Sequence, residues 1–424
     1  MKPSRSAARV LVIDHTAELS GGEVALSRLL EAVDRERYDV RVLLLADGPF
    51  AARLSAQGIP VAVLSGSSRL TRIGRAEAAS SPIALLANAI RTLALVPRIS
   101  AAIRGAGAQL VVANTLKAAV LSSIAAPLAG RRWVWHLHDR IARDYLPPAL
   151  VFGLRALARW APRLVVANSE ATRATLPRLH DDRVIVAYPG VAVPPAEAPL
   201  RTPPSVPLFG LLGRIAPTKG QLEFLRAAAL LVAGHPGIRF SVIGDALFND
   251  GRFADEIRAM PAALGIDDCV MFTGWLDDPT SAIQGLTALV HASPIAEPFG
   301  QVIVEAMFAG VPVIGTDAGG VREILNADGA VEPIGRGVTR TAFGLLVAPH
   351  DPAALATAMA WMAEHEPERE AMAGRARVSA AERFDIRVSA SRTNQAWTRA
   401  LGAPGRARRS AIVDTDRKYD AGEM

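Results

Sequence analysis

Two glutamates, Glu297 and Glu305, stand eight positions apart in the stretch EPFGQVIVEAM. Acids so placed could accept hydrogen bonds from hydroxyls or take part in proton transfer. On one ideal helix they would lie about 80° apart, and Glu297 precedes Pro298, which disfavours helical geometry at the acid itself. Glu297 is therefore expected in a loop and Glu305 in the helix that follows. Val302, Ile303, Ala306 and Met307 would pack that helix on a sheet, leaving both acids free at the edge of a cleft. Glu305 alone would also read as decoration of a helix dipole; the pair, with its Pro-Phe-Gly turn, reads as a site.

A second chemistry-bearing pair sits in GLLGRIAPTKG, where Arg214 and Lys219 flank a proline-containing turn. A guanidinium fork and an ammonium point charge offered from one loop suit a diphosphate, although two solvated loop cations would look the same in sequence. Only four of the 47 basic residues are lysine (Lys2, Lys117, Lys219 and Lys418), which makes Lys219 conspicuous. In LSGGEVALSRLLEAV, Gly21 and Gly22 precede a helix whose Leu26, Leu29, Leu30 and Val33 keep helical spacing. Glycines there let backbone N–H groups approach an anion at the helix start, and serve equally well as a tight turn. In RRWVWHLHDR, His136 and His138 share one face of a strand near its carboxyl end. Either could donate a hydrogen bond or move a proton; with no third ligand nearby in sequence, metal binding is disfavoured.

These residues need elements to hold them. Short β-branched and leucine-rich runs alternate with longer amphipathic ones: RVLVID, DVRVLLLA, VAVL, QLVVA, RWVWHL, RLVVA and RVIVAY, then PLFGLLG, RFSVIG, DCVMFTG, LTALVHA, VPVIGT and AFGLLVA. This is the rhythm of two parallel α/β sheets, and ligands in such sheets bind outside the carboxyl ends of the strands. Prolines at 189, 194, 195, 199, 203, 204 and 207 predict an extended linker between them. The chain divides into an N-terminal domain over residues 1–193, a linker over 194–206, a second domain over 207–385, a C-terminal helix over 386–401 returning to the first domain, and a flexible tail over 402–424. Asp414-Thr415-Asp416 in that tail matches a metal-holding Asp-x-Asp more readily by chance than by function.

The 424 residues, half of them hydrophobic, exceed what one core usually organises and agree with two domains of about 150 to 200 residues. One cysteine, Cys269, allows no internal disulfide and no cysteine cluster, which points to a reducing compartment. The opening MKPSRSAARVLVIDH has too short an apolar run for a secretion signal. The longest apolar stretch, Ile83 to Val96, is broken by Asn88 and Arg91 and falls short of a membrane span. A cytoplasmic location is expected. The formal net charge of +6 and pI near 9.9 raise nucleic acid as a partner, but no zinc-finger, RNP-type or basic-zipper pattern accompanies them, so none is expected. Neither GxGxxG nor GxxxxGK[ST] occurs, against a dinucleotide oxidoreductase or a P-loop ATPase.

Taken in order, the motifs resemble a glycosyltransferase of family 4 with the GT-B architecture, an α/β fold of two Rossmann-like doubly wound domains facing across a cleft. Glu297 to Glu305 matches the family's E-x7-E; GRIAPTKG, FTGW, GTDAGGVREIL and FGLLVAPHDPAALATAM accompany it, and Gly21-Gly22-Glu23 fits the glycine loop. The resemblance covers nearly all of the chain except the tail. It implies retaining transfer of a sugar from a nucleoside diphosphate sugar, UDP- or GDP-linked, to a hydroxyl of a glycan or glycolipid, in cell-surface polysaccharide or glycolipid biosynthesis, with no cofactor and no obligatory metal. It also implies that the acids face neutral hydroxyls, Glu305 the ribose and Glu297 the donor sugar. Phosphate would fall to Arg214, Lys219 and the amides of Gly21 and Gly22, with backbone N–H groups of Phe299, Gly300 and Gln301 facing the donor. Gly274 and Trp275 would shape the base pocket. His138, rather than His136, matches the family histidine that orients the sugar or leaving phosphate. Charge gathering on the diphosphate would be met by Arg214, Lys219 and the glycine loop, so His138, Glu297, Arg214 and Lys219 form the expected catalytic set.

The first domain is implied to select the acceptor, and it is the more basic. Six arginines and one glutamate lie between Arg69 and Arg104, and seven arginines and two aspartates between Arg131 and Arg163. Such stretches could rest on anionic lipid at the inner face of the cell membrane or hold a lipid-pyrophosphate-linked glycan, or be ordinary solvated helix faces. Two rivals stay open: a sugar-nucleotide epimerase of the same architecture, which would turn over without an acceptor, and a non-catalytic module that binds sugar nucleotide. A pyridoxal-phosphate phosphorylase would need a dedicated interior lysine, for which only Lys117 and Lys219 are candidates.

Overall fold

A computed structural model of the protein describes residues 7–64, 93–193, 201–247 and 250–402. Its first sheet has seven parallel strands: β1 (Ala8–Asp14), β2 (Tyr38–Leu44), β3 (Val61–Val63), β4 (Leu110–Ala113), β5 (Arg132–Leu137), β6 (Leu164–Ala167) and β7 (Val184–Val186). They lie in the order β3-β2-β1-β4-β5-β6-β7. The order reverses between β1 and β4, where a doubly wound sheet opens a crevice at the carboxyl ends of its strands. Helices cover both faces, which is why β4 and β6 are buried throughout and read as continuous apolar runs.

The second sheet contains β8 (Leu208–Leu212), β9 (Arg239–Ile243), β10 (Val270–Gly274), β11 (Ala288–His291), β12 (Val313–Thr316), β13 (Glu332–Gly335), β14 (Val338–Arg340) and β15 (Leu345–Val347). The order is β10-β9-β8-β11-β12-β15-β14-β13, with its own reversal between β8 and β11. The outer pair departs from the parallel rhythm of the sequence: β13 and β14 form an antiparallel hairpin, and β14 runs antiparallel to β15. Only Arg336-Gly337 separates the hairpin strands, and so short a connection permits no parallel crossover.

The two domains are joined by two chain crossings that lie side by side. The Val191 N–H donates to the Phe384 carbonyl at 2.9 Å, and the Ile386 N–H donates to the Val191 carbonyl at 3.0 Å. A Cβ on Gly190 would stand 2.5 Å from the Ile386 Cα, so only glycine admits this approach. After the second crossing, the helix Ile386–Leu401 returns to the first domain and buries Ala396, Trp397 and Ala400 in its core. Trp397 Nε1 donates to His136 Nε2 at 3.2 Å, their rings stack with centroids 6.0 Å apart, and the edge of Tyr38 meets the indole at 5.3 Å. Burial, followed by the neighbouring His138, pushes the His136 pKa down to about 3, which keeps its Nε2 an acceptor.

Residues 194–200 of the linker, the tail beyond Gly402 with its Asp-x-Asp, and most of the basic stretch 69–104 lie outside the described residues. Among the described residues no helix is long and apolar enough to cross a membrane. Replacing Trp397 by Phe keeps an aromatic ring against His136 but removes its donor. A loss of about 1–3 kcal/mol is expected from the unsatisfied buried nitrogen, read as a lower urea midpoint. An unchanged midpoint would show that the ring stack alone holds the returning helix.

Candidate active site

The loops after β8 and β11 flank the order reversal of the second sheet, and they bring Lys219 and Glu297 together. Lys219 Nζ donates to Glu297 Oε1 at 2.7 Å. Ser293 Oγ lies 2.7 Å from the Thr218 carbonyl and 3.1 Å from Glu297 Oε2, and His291 Nε2, at the end of β11, lies 3.7 Å from that same carboxylate oxygen. Burial by itself would raise the Glu297 pKa; the Lys219 ammonium and His291 outweigh it and hold the carboxyl below its ordinary range. The acid is therefore ionised. Its backbone is gripped from behind, where Gly320 donates its N–H to the Glu297 carbonyl at 2.9 Å. At Gly319, with φ +62°, a Cβ would stand 2.1 Å from that carbonyl oxygen, so the GTDAGG turn is glycine where the backbone closes on the acid. Arg214, at the start of the Lys219 loop, pairs its guanidinium with Asp250.

The helix Gln301–Phe308 buries Ile303, Val304, Ala306, Met307 and Phe308 and leaves Glu305 partly exposed toward the first domain. There Glu305 accepts from Arg28 Nη1 at 2.7 Å. The Gln301 amide, in the orientation that satisfies both its ends, donates to the Gly21 carbonyl at 3.1 Å and accepts from Arg28 at 2.6 Å. The sequence left both acids free at the cleft edge; the structure corrects this, pairing Glu297 with Lys219 and Glu305 with Arg28. A carboxylate partly withdrawn from water is costly without a counter-charge.

Gly21 and Gly22 open the helix Gly21–Ala32 rather than precede it, behind Ser20, which forms a capping box with Glu23. A Cβ on either glycine would meet no protein atom within 4 Å, so packing does not demand them. Burial, reinforced by Asp14, raises the Glu23 pKa to about 8, and its carboxyl carries a proton at neutral pH. At the ends of β1, β4 and β5, Asn114 Nδ2 donates to Asp14 Oδ2 at 2.8 Å, which leaves Asn114 Oδ1 to accept from His138 Nε2 at 3.0 Å. That assignment puts the His138 proton on Nε2 and a lone pair on Nδ1. Burial lowers the His138 pKa against the opposing pull of Asp139 and Asp14. His136 is committed to Trp397.

The first domain also holds the loop that carries Glu297. Arg140 Nη1 donates to the Ala296 carbonyl at 3.2 Å, and Ser169 Oγ and Thr172 Oγ1 donate to the Pro298 carbonyl at 2.5 and 3.3 Å. Glu323, in turn, accepts the N–H groups of Glu170 and Ala171, each at 3.0 Å, and the Tyr188 hydroxyl at 3.0 Å. The Phe299 ring points away from the acids into the crossings, with centroids 5.7 Å from Tyr188 and 5.6 Å from Phe384, so it offers a ligand backbone only. Gly300 precedes the helix at φ +113°. Gly274 ends β10, and Trp275 beyond it is 43% exposed, donating Nε1 to Asp277 Oδ1 at 3.1 Å. Among the described residues no three His, Cys, Asp or Glu side chains converge as a metal site would require.

Sequence reasoning missed Arg28, Arg140, Ser169, His291 and Ser293. His291 ends a strand just as His138 follows one, so the strand-end rule that found one would have found the other. Arg28 carries no such signal, for it lies in an apolar helix pattern and its partner is 277 positions away.

Comparison with known proteins agrees with this two-domain architecture. The model of the Glycosyl transferases group 1 family matches residues 196–379, and that of Glycosyltransferase Family 4 matches residues 19–193. A D-inositol 3-phosphate glycosyltransferase of Streptomyces scabiei is 32% identical over 274 residues, which are 60% of this chain. The match spans 58% of that relative's length. The crystal structure of Anabaena Alr3699/HepE in complex with UDP-glucose is similar with a TM-score of 0.73 at 26% identity, covering 93% of this chain and 100% of the other. Sucrose-phosphate synthase from Thermosynechococcus elongatus shares the fold, with a TM-score of 0.74 at 18% identity over 94% of this chain and 100% of its own.

Lys219→Met strips Glu297 of its ammonium. A loss of about 2 kcal/mol is expected, between the value of an exposed pair and that of a buried one. Because the Glu297 pKa is lowered by folding, the stabilisation is present above the unfolded-state value of 4.5 and is lost as pH falls through the folded one. Denaturation midpoints of the two proteins should differ most above about pH 5 and converge in acid. A gap independent of pH would assign the loss to packing of the lysine stem.

Proposed function

The chain belongs to the glycosyltransferases of family 4, and on that premise we propose that it moves a sugar from a nucleoside diphosphate sugar to an acceptor hydroxyl with retention at the anomeric carbon. The observation that carries the reading is the meeting of two helix starts, Gly21 and Gln301, across the cleft, with Lys219, Glu297 and Glu305 beside them. Both helix ends offer N–H groups and positive dipole to a diphosphate. Glu305 takes the ribose hydroxyls, Glu297 takes hydroxyls of the donor sugar, and His138 Nδ1 orients the sugar from the first domain. As the sugar–oxygen bond breaks, negative charge on the leaving diphosphate is met by Lys219, Arg214 and the Gly21-Gly22 amides. The scheme asks for no protein nucleophile and no resident metal. The Anabaena complex with UDP-glucose favours the UDP series as donor, and a glycan or glycolipid of a cell-surface polymer is the acceptor class.

Thermal-shift and calorimetric titration with UDP, GDP, ADP and their common sugars tests the donor. Glu305→Ala should weaken nucleotide binding by about 1.5–3 kcal/mol, the value of a charge-assisted hydrogen bond, whereas Arg214→Ala should lower turnover more than binding. An unchanged affinity in the first variant would sink the ribose assignment. Conversion of the donor sugar to an isomer without acceptor would favour an epimerase instead.

The helix Pro148–Trp160 supports peripheral contact with an anionic membrane. It buries Val151, Leu154 and Ala158 and turns Phe152 and Trp160 outward, 79% and 77% exposed. Phe152, Ala156 and Trp160 recur at helical spacing beside Arg155 and Arg159, with no acid on the helix. Exposed aromatics beside arginine are the composition of interfacial helices, and a lipid-linked acceptor would be met at such a surface. The protein should sediment with phosphatidylglycerol vesicles at low salt, leave them at modest salt, and bind them less as Phe152→Ser/Trp160→Ser. Failure of the wild type to sediment at low salt would remove the membrane from the reading.

A further inference from the structure

The order reversal of the first sheet lies between β1 and β4, and the parallel register sets Ile13 beside Ala113 and Ala113 beside Trp135. Asp14 and Asn114, each one residue further along, therefore meet at the mouth of the crevice, and His138 follows the end of the neighbouring strand β5. Asp14 is fully buried and Asn114 is 1% exposed. Their polar atoms form a directed chain. The Thr16 N–H donates to Asp14 Oδ1 at 3.2 Å, Asn114 Nδ2 donates to Asp14 Oδ2 at 2.8 Å, and His138 Nε2 donates to Asn114 Oδ1 at 3.0 Å. Each link forces the next. A carboxylate only accepts, so the amide must turn its nitrogen to Asp14 and its oxygen to the ring. An oxygen facing Nε2 requires a proton there, and a neutral imidazole carries only one N–H. Burial lowers the His138 pKa against the pull of Asp139 and Asp14 and favours that neutral ring. His15 does not interrupt the chain: its Nδ1 is 3.6 Å from Asp14 Oδ1, beyond hydrogen-bond reach, and 2.9 Å from Thr115 Oγ1.

We propose that Asp14 is a positioning residue for the donor sugar: acting through Asn114, it fixes the His138 proton on Nε2 and so keeps Nδ1 an acceptor for a sugar hydroxyl. The inference rests on the proposed assignment of His138 to the sugar. A single change should reverse the ring. In Asp14→Asn the Thr16 N–H still calls for an oxygen at its end of the side chain, so the new NH2 group stands where Oδ2 was. It donates to the Asn114 oxygen, the Asn114 amide turns over, and its nitrogen then faces Nε2. A donor facing Nε2 makes that nitrogen an acceptor and moves the proton to Nδ1. The ring then donates to the sugar hydroxyl, whose own proton loses its acceptor. Asp14→Asn/Asn114→Asp restores the original order, because the carboxylate at position 114 accepts from the new amide on one side and from Nε2 on the other.

The test follows the ring and the sugar separately in wild type, Asp14→Asn and Asp14→Asn/Asn114→Asp. Nitrogen-15 spectra of the histidine rings, with the His138 signals identified by their loss in His138→Phe, should show the proton on Nε2 in wild type, on Nδ1 in Asp14→Asn and on Nε2 again in the double variant. Calorimetric titration with UDP and with UDP-glucose gives the factor in affinity that the glucose adds. That factor is the readout because burial, reinforced by Asp14, raises the pKa of Glu23 beside the Gly21 helix start, and an effect of this on the diphosphate cancels between the two ligands. The factor should fall about three- to tenfold in Asp14→Asn, the worth of a neutral hydrogen bond, and recover in the double variant. A wild-type ring with its proton on Nδ1, or a ring that keeps its proton on Nε2 in Asp14→Asn, would overturn the relay. A reversed ring with an unchanged factor would overturn the positioning role. A wild type that gains nothing from the glucose would count against the proposed donor reading and the positioning role together, and the ring spectra would then decide the relay alone.

Discussion

An ionised carboxylate only partly reached by water is the constraint on which this cleft depends. Glu297 keeps its charge because Lys219, in the loop on the other side of the sheet reversal, lies 2.7 Å away. One ion pair thus sets the spacing of the two loops that the sheet topology brings together. Ser293, which touches both loops, and the Gly320 N–H behind the acid leave the carboxylate little freedom to turn. The lysine is apt in a chain whose cations are nearly all arginine. An ammonium can hold a carboxylate and still turn a proton toward a second anion, whereas a planar fork engaged by one acid is committed in its plane.

From this acid the next two residues lead outward to the domain contact. The Pro298 carbonyl is taken by Ser169 and Thr172 of the first domain, and the Phe299 ring sits among Tyr188 and Phe384, one from each chain crossing. Three aromatic rings in mutual contact resist sliding because each fills the others' space. A rotation of the domains about the crossings must therefore move Phe299, and with it the backbone that positions Glu297. The site and the joint between domains are parts of one loop, residues 296–300, which is why EPFG is compact in sequence.

The architecture was legible because a parallel sheet buries both faces of its strands, and buried strands betray themselves as short apolar runs between amphipathic helices. The strand ends, and hence the loops worth reading, followed from that alone; the order of the strands, and with it the two reversal points, did not. Residue types at the site were legible for the same reason: Lys219, Glu297 and Glu305 stood out against their local pattern. Their pairing was not. Arg28 and Glu305 are 277 positions apart, and nothing near either one names the other. The common face of His136 and His138 could be read from strand periodicity, but not that Trp397 would claim one of them from the far end of the chain. The β13–β14 hairpin escaped because its strands are three and four residues long and one of them, EPIG, carries a proline and a glycine.

Acids at a helix start are at odds with an anion site only if their charges act uncompensated. Glu297 is offset by Lys219 and Glu305 by Arg28, while Glu23, in the first turn of the facing helix, carries a proton at neutral pH because burial and Asp14 hold its pKa near 8. What remains is the pair of helix ends at Gly21 and Gln301, each with N–H groups that no preceding turn can satisfy. Two positive dipole ends brought together repel one another unless negative charge lies between them. The folding energy of the two cores and of the crossings holds them in place regardless. The cleft is therefore built with a positive centre flanked by neutralised acids, which is the field that the proposed placement of a diphosphate between hydroxyl-bearing groups requires.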